Sequence, residues 1–362
     1  MDRRAYWFWL NNIEGIGNTK IRRLLEYYEI PENIYSAKEK ELILIPGISE
    51  KDAYNISSIE NKKIIKERFD KYNKDKVNFV FPWEEGYPSR LNELYDKPQI
   101  LYYIGRIPDN NTKSVAVIGA RNCSEYGRKM AKEISYELAL RGVNIISGLA
   151  LGIDSEAHEG AVLAGGNTYA ILAGGVNKCY PLSNYNLYID ICRNGGIISE
   201  YPPNTDTRPG MFPLRNRIVS GLADIVVVVE AGVKSGSLIT VNHALEQNRT
   251  VYVVPGRIGD KMSAGCNHLI AEGAGIITSV DVLFEELGME YQNEEKKEKN
   301  NLGLAREEKM LYSLLLDFTP RSLDSIIEEM KAPVGVVLTN LLGLELKGYI
   351  KEISKNFYVR IR

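Results

Sequence analysis

The sequence predicts an α/β protein: a Rossmann-like, doubly wound and mostly parallel sheet, with a helical module before it and a winged helix after it. Three observations carry this. Short β-branched runs recur between residues 115 and 278, helical patterns separate them, and neither flank shows that alternation. A chain of 362 residues has room for two or three domains.

Residues 1–75 read as a helix-hairpin-helix, SAM-like module. Apolar residues recur at helical spacing at Ile21, Leu24, Leu25 and Tyr28, and again at Ile56, Ile59, Ile64 and Ile65. Two glycine turns interrupt them, Ile13-Glu14-Gly15-Ile16-Gly17 and Ile45-Pro46-Gly47-Ile48-Ser49. Such turns let amide N–H groups face a phosphate, and the second departs from the pattern with Ser49 at its last position. The module either contacts a phosphate in this way or only packs on its neighbour. Residues 76–109 read as a connecting segment.

The sheet domain is expected over 110–287. Strand runs fall at Val115–Ile118, Asn144–Ser147, Tyr169–Leu172, Gly196–Ser199, Ile225–Val229, Val251–Val254 and Gly275–Thr278. Helical patterns such as Tyr126–Arg141 and Ser237–Gln247 lie between them. Strands without in/out alternation are buried on both faces, which implies a parallel sheet. Residues 288–303 are polar, lack periodicity and read as a flexible linker with a span of roughly 20 Å. The remainder, 304–362, offers helices near Glu307–Leu316, Ser322–Met330 and Pro333–Lys347, then a hairpin turning at Lys355-Asn356. Its third helix has no basic residue before Lys347, and only Asn340 suits base reading. A protein-contact or regulatory role therefore suits this winged helix better than DNA reading.

Function concentrates at the strand ends. Gly119 to Gly127 follows the first strand and carries Arg121, Ser124 and Tyr126. The second strand ends in Ser147-Gly148, and the third runs into Gly174-Gly175 and Lys178. The fifth is followed by Gly232-Val233-Lys234-Ser235-Gly236-Ser237, and the sixth by Pro255-Gly256-Arg257. In an open parallel sheet these loops share one edge, where helix N-termini and exposed amides bind anions. There is no G-x-G-x-x-G after the first strand, no acidic residue ending the second, and no G-x-x-x-x-G-K-[ST]. Several phosphate cradles without a ribose handle suit a polynucleotide strand. Arg208, Arg215, Asn216 and Arg217 add candidates, although Arg215 or Arg217 equally suits an ion pair with Glu200 or Glu230. The tyrosines of 180–188 either pack within the fold or stack on unpaired bases, each such contact contributing ~1–3 kcal/mol.

Composition limits how such a strand is held. Lys and Arg total 45 against 47 Asp and Glu. The three regions 1–112, 113–288 and 289–362 carry 18 and 18, 15 and 17, and 12 and 12 basic and acidic groups. No segment is a basic tail, so a polyanion must be held by local geometry. Four cysteines without a C-x-x-C pair, and only three histidines, argue against a disulfide framework or zinc site and for a reducing cytoplasm. No metal or cofactor is expected. The first apolar stretch, Ala5 to Leu10, is too short for a signal or membrane segment, so no membrane partner is expected.

The region 115–287 resembles the DNA-processing protein A family, DprA/Smf. The matching phrases are Gly119-Ala120-Arg121 with Ser124 and Tyr126-Gly127, SGLALGIDSEAH at 147–158, Tyr180-Pro181 with Asn184, and Ser199-Glu200-Tyr201-Pro202. They continue with FPLRNRIVSGLAD at 212–224, VVEAGVKSGSLIT at 228–240 and VPG at 254–256. The resemblance implies a non-enzymatic protein of natural transformation that binds and protects single-stranded DNA and loads the RecA recombinase. It also implies a cytoplasmic homodimer joined through the Rossmann-like domain. Carried over by motif, Arg121 would be the main phosphate contact, with Gly119, Ser124 and Tyr126 shaping its pocket and Asn184 and Asn216 completing the groove. Many members carry Lys directly after the Tyr-Pro pair; this chain has Leu182, and Lys178 is the available substitute.

The competing reading is a nucleotide-hydrolysing enzyme of the lysine-decarboxylase-like phosphoribohydrolase type, with residues 232–237 as its loop and Glu246 as its carboxylate. His158, His243 and His268 have no nucleophile at triad spacing and read as structural.

Overall fold

Short polar caps set the helix starts of the N-terminal module. Asp2 accepts the Ala5 amide to open α1 (Arg3–Asn11). Gly15 and Gly47 both take φ +83°, turning the chain into α2 (Asn18–Tyr28) and, after α3 (Pro31–Ser36) and α4 (Glu39–Leu42), into α5 (Glu50–Ser57). Ser49 stands where a second glycine was expected because it caps α5 in a reciprocal box with Asp52. Lys20 joins the two hairpins, donating to Gly15 O at 2.9 Å and to both Asp52 oxygens at 2.7 and 2.8 Å. The helical period does not run through 56–65, since the chain leaves helical geometry at Ser58 before α6 (Ile59–Lys74). Ile56 and Ile65 are buried, whereas Ile59 and Ile64 are exposed.

The computed structural model describes residues 1–74, 77–289, 304–315 and 320–360. It contains two compact units, Met1–Met289 and Glu290–Arg362. The linker expected over 288–303 lies, from residue 290 onward, outside the described residues.

In the first unit the strands are β1 (Asn78–Val80), β2 (Leu101–Gly105), β3 (Ser114–Ile118), β4 (Asn144–Ser147), β5 (Thr168–Ile171), β6 (Gly196–Ser199), β7 (Ile225–Val228), β8 (Thr250–Val253) and β9 (Gly275–Ile276). They form one sheet in the order β1-β2-β6-β5-β4-β3-β7-β8-β9. From β3 to β9 all pairings are parallel, and β3 to β7 are buried at every position, as expected for a sheet covered on both faces. The 76–109 segment is more than a connector, because it supplies β1 and β2, which extend the sheet antiparallel beyond β6. The helical module packs on this end. Phe8 meets Phe69, Tyr72 and Phe79 in edge-on or tilted contacts, and the buried Tyr102 hydroxyl accepts from Asn12 Nδ2 at 2.7 Å.

The chain winds outward from β3 to β6 and then crosses to β7 on the other side of β3. That reversal opens a crevice between the carboxyl ends of β3 and β7. The helices of this part are α7 (Glu125–Leu140), α8 (Ile153–Leu163), α9 (Tyr185–Asn194), α10 (Met211–Gly221), α11 (Ser237–Glu246), α12 (Ala264–Ala271) and α13 (Asp281–Glu286).

The second unit is a winged helix: α14 (Arg306–Leu314), β10 (Arg321–Ser322), α15 (Leu323–Met330), α16 (Val334–Leu346), β11 (Ile350–Ser354) and β12 (Phe357–Arg360), with strands in the order β10-β12-β11. Asn356, at φ +64°, makes the wing turn. Leu311, Ile326, Val337, Leu341, Leu344 and Tyr358 form its core.

Candidate nucleic-acid interface

A cavity of about 820 Å³ opens at the crevice between β3 and β7. Gly119 and Arg121 line it from the β3 loop, Gly148 from the β4 loop, and Ser235, Gly236 and Ser237 from the β7 loop; Arg215 and Asn216 line it from α10. Thus eight of thirteen candidate strand-contact positions, the other five being Ser124, Tyr126, Gly175, Lys178 and Asn184, meet around one space. Both α10 and α11 begin at this cavity and turn their positive dipole ends to it, while their first amides are engaged: those of Met211 and Phe212 donate to Arg208 O and Pro209 O, those of Leu238 and Ile239 to Ser235 O and Gly236 O, and that of Ser237 to Ser235 Oγ at 3.4 Å. Ser235 and Ser237 hydroxyls lie 2.8 Å apart at the start of α11.

Arg121 is exposed at the mouth, with its guanidinium 5.1 Å from the centre of the Phe212 ring. Among the described residues it has no hydrogen-bond or ion-pair partner for its side chain. Tyr180 lines the same mouth, and its ring centroid is 5.9 Å from that of Phe212. Lys234 is a second exposed cation in the lining. Phe212, Tyr180 and Lys234 complete the mouth, yet their sequence signals were only an aromatic within FPLRNR, one of several tyrosines, and a lysine within a glycine loop.

Arg215 is the floor rather than the mouth. It is buried, and its Nη1 donates to Gly148 O at 2.8 Å and also to Ile171 O. Burial pushes its pKa down to about 10, with Asp154 opposing, so it stays charged at neutral pH. Asp154, also lining the cavity and buried, accepts the Gly148 amide at 3.1 Å; burial raises its pKa against the pull of Arg215. Arg217 points the other way. Its Nη2 donates to both Glu200 oxygens, and its Nε lies 2.8 Å from Asp96.

The other five positions stand outside the cavity lining, each with its own attachment. Ser124 caps α7 through the Gly127 amide and donates to Glu230 at 2.5 Å. Tyr126 is half-buried on α7, and burial and the Glu230 charge push its hydroxyl pKa up. Gly175 packs against the backbone of residues 202–205. Lys178 is paired with Asp206 at 2.5 Å. Asn184 donates to Leu149 O at 3.0 Å and to Ser155 Oγ at 2.9 Å, pinning the 180–188 loop to the β4 loop.

Residues 78–288 match the model of the DNA recombination-mediator protein A family, which is more than half of the chain. The chain belongs to that family. Residues 295–354 match a DprA winged helix domain, and 10–58 a SAM-like helix-hairpin-helix tandem. The DNA processing protein DprA of Streptococcus pneumoniae is 39% identical over 279 residues, covering 75% of this chain and 94% of the relative. Protein Smf of Escherichia coli is 36% identical over 287 residues, 77% of this chain and 76% of that one. The X-ray structure of DprA from S. pneumoniae superposes with a TM-score of 0.61 at 34% identity, covering 79% of this chain and 98% of that one. A structure of the Helicobacter pylori protein, described for its single-stranded DNA binding mode, gives a TM-score of 0.52 at 30% identity and covers 58% of this chain and 96% of that one. The family-model match, 78–288, runs from β1 to β9 and takes in the loops that line the cavity.

Proposed function

We propose that the chain is a DprA-type protein that holds single-stranded DNA across the β3–β7 cavity and passes it to a RecA-type recombinase during DNA uptake. The observation that carries this reading is Arg121, which lies over Phe212 at the mouth of a cavity where two helices begin. Phosphates of a strand would meet Arg121 and Lys234 within the field of the positive ends of α10 and α11. Phe212 and Tyr180 would stack an unpaired base, a contact open to any base and closed to a duplex. Gly236, where an added Cβ would meet nothing within 4 Å, leaves the strand's way open, Gly119 and Gly148 let Ile153 and Arg215 pack close behind the loops, Ser235, Ser237 and Asn216 offer hydrogen bonds, and Arg215 supplies positive potential from below. Ser124, Tyr126, Gly175 and Asn184 shape the loops rather than touch the strand, and Lys178 would join only by leaving Asp206.

We extend the proposal to handover to RecA, a homodimer through the Rossmann-like domain and a cytoplasmic location, and family membership is what supports these. The boundaries we assign are a helical module to residue 75, a sheet domain to 287 and a winged helix from 304. No catalytic step is assigned. Glu246, the carboxylate a phosphoribohydrolase reading requires, is at the far end of α11 from the cavity, about 13 Å along the helix axis, with its side chain in solvent.

Salt-titrated competition between single-stranded and duplex oligonucleotides of the same sequence tests the reading. A clear preference for the single strand is expected. Equal or tighter duplex binding, or release of free base from nucleoside monophosphates, would overturn it.

A further inference from the structure

The cations along the carboxyl edge of the sheet fall into two groups. On the β5–β6 side most are engaged, Lys178 with Asp206 and Arg217 with Glu200 and Asp96, which leaves Arg208 exposed without a hydrogen-bond or ion-pair partner for its side chain among the described residues. On the β7–β8 side, Lys234, Arg257 and Lys261 are exposed, and none has a hydrogen-bond or ion-pair partner for its side chain among the described residues. Arg257 and Lys261 belong to the loop after β8, which the cavity reading leaves unused.

That loop is internally braced. Asn267 clamps its base, donating to Gly256 O at 3.1 Å and accepting the Gly256 amide at 3.2 Å. Two turns follow, in which the Asp260 amide donates to Arg257 O at 3.2 Å and the Ser263 amide to Asp260 O at 3.1 Å. The loop's own carboxylate, Asp260, accepts the Met262 amide at 3.0 Å. The loop is also fixed to the cavity wall. The Gly265 amide donates to Ala231 O at 2.8 Å, a Cβ at Gly232 would lie 3.3 Å from Lys261 O, and Met262 lines the cavity with Lys234. Ile258 projects from it fully exposed.

We propose that the 256–262 loop is a second strand-contact element. A polynucleotide leaving the cavity passes over it towards β8, its phosphates neutralised by Lys234, Arg257 and Lys261 and a base resting on Ile258. Arg257 and Ile258 lie outside the cavity lining, so a ligand that only fills the cavity does not reach them. The inference rests on the single-strand reading of the cavity and adds the direction in which the strand leaves it.

The test uses the full chain carrying Arg257→Ala with Lys261→Ala, a separate Ile258→Ala variant, and oligothymidylates of about five and about twenty nucleotides. Each variant should bind the short oligonucleotide within about twofold of wild type, which also shows that it is folded, and bind the long one more weakly. For the double variant the slope of log K against log salt should fall by about 1.4 with the long oligonucleotide, about 0.7 for each phosphate released. Wild-type affinity and slope with the long oligonucleotide would overturn the proposal. So would an equal loss with both lengths, or a change of oligomeric state without a change in binding. If the wild type binds neither oligonucleotide, the cavity reading itself fails. If Arg121→Ala weakens binding while the loop variants do not, only this inference fails.

Discussion

Arg215 and Gly148 are fitted to one another: Nη1 donates to the Gly148 carbonyl at 2.8 Å, and a Cβ at Gly148 would lie 2.5 Å from Nη2. The glycine at the end of β4 therefore makes room for a buried guanidinium. Arg215→Ala would leave the Gly148 and Ile171 carbonyls without their donor and Asp154 without its opposite charge. A loss of about 3 kcal/mol in unfolding free energy is expected from urea denaturation. Gly148→Ala should destabilise in the same direction, by displacing the guanidinium. A change below about 1 kcal/mol for Arg215→Ala would mean that the floor is not held in this way.

Ser124 supports the β3 loop from outside the cavity. Ser124→Ala removes the α7 cap and one of Glu230's two bonds to this residue, so a loss of about 1 kcal/mol is expected. Single-strand affinity of the folded variant should stay at the wild-type value. A loss of affinity without a loss of stability would put Ser124 back on the strand.

These two residues show what the sequence disclosed and what it withheld. The parallel strands were legible because runs such as Ile225–Val228 are β-branched and buried on both faces, and the crevice was legible because five glycine loops share one edge. β1 and β2 were missed, since Asn78–Val80 has only three residues and only a single 3-10 segment, Ser89–Glu93, separates it from Leu101–Gly105, so they lack the strand and α-helix alternation that marks the rest. The bonds made by the cations were hidden for a different reason. Asp206 and Lys178, Asp96 and Arg217, and Gly148 and Arg215 lie far apart in sequence and meet only through the winding of the sheet. Motif spacing therefore grouped engaged and exposed arginines alike.

His158 makes stability depend on pH. It is fully buried, with Nδ1 2.6 Å from Thr168 Oγ1, and that hydroxyl donates to Ile145 O at 3.0 Å, so Nδ1 carries the proton of a neutral ring. Burial, helped by the Arg215 charge, pushes its pKa down to about 3 from 6.5. The unfolded chain therefore binds the proton first as pH falls. The contribution is complete above about pH 6.5 and declines by about 1.4 kcal/mol per pH unit towards pH 3. Denaturation midpoints of wild type and His158→Asn across this range should converge as pH falls. Parallel curves would contradict the buried neutral ring.

The winged helix should contribute little to strand affinity. Lys347, the only basic residue near α16's end, is held by both Glu308 oxygens, and Asn340 donates its amide to Val336 O. Deleting residues 290–362 leaves the compact unit Met1–Met289 and should change single-strand affinity by less than about fivefold, or 1 kcal/mol. A severe loss would assign α16 or the wing to DNA.

The central claim is that Arg121 meets phosphate at the β3–β7 cavity, and salt titration of single-strand binding by wild type and Arg121→Ala tests it most directly. The variant should bind more weakly at low salt, and its slope of log K against log salt should be shallower by about 0.7 for each phosphate that Arg121 neutralises in the wild type. Identical affinity and slope in the two proteins would contradict it.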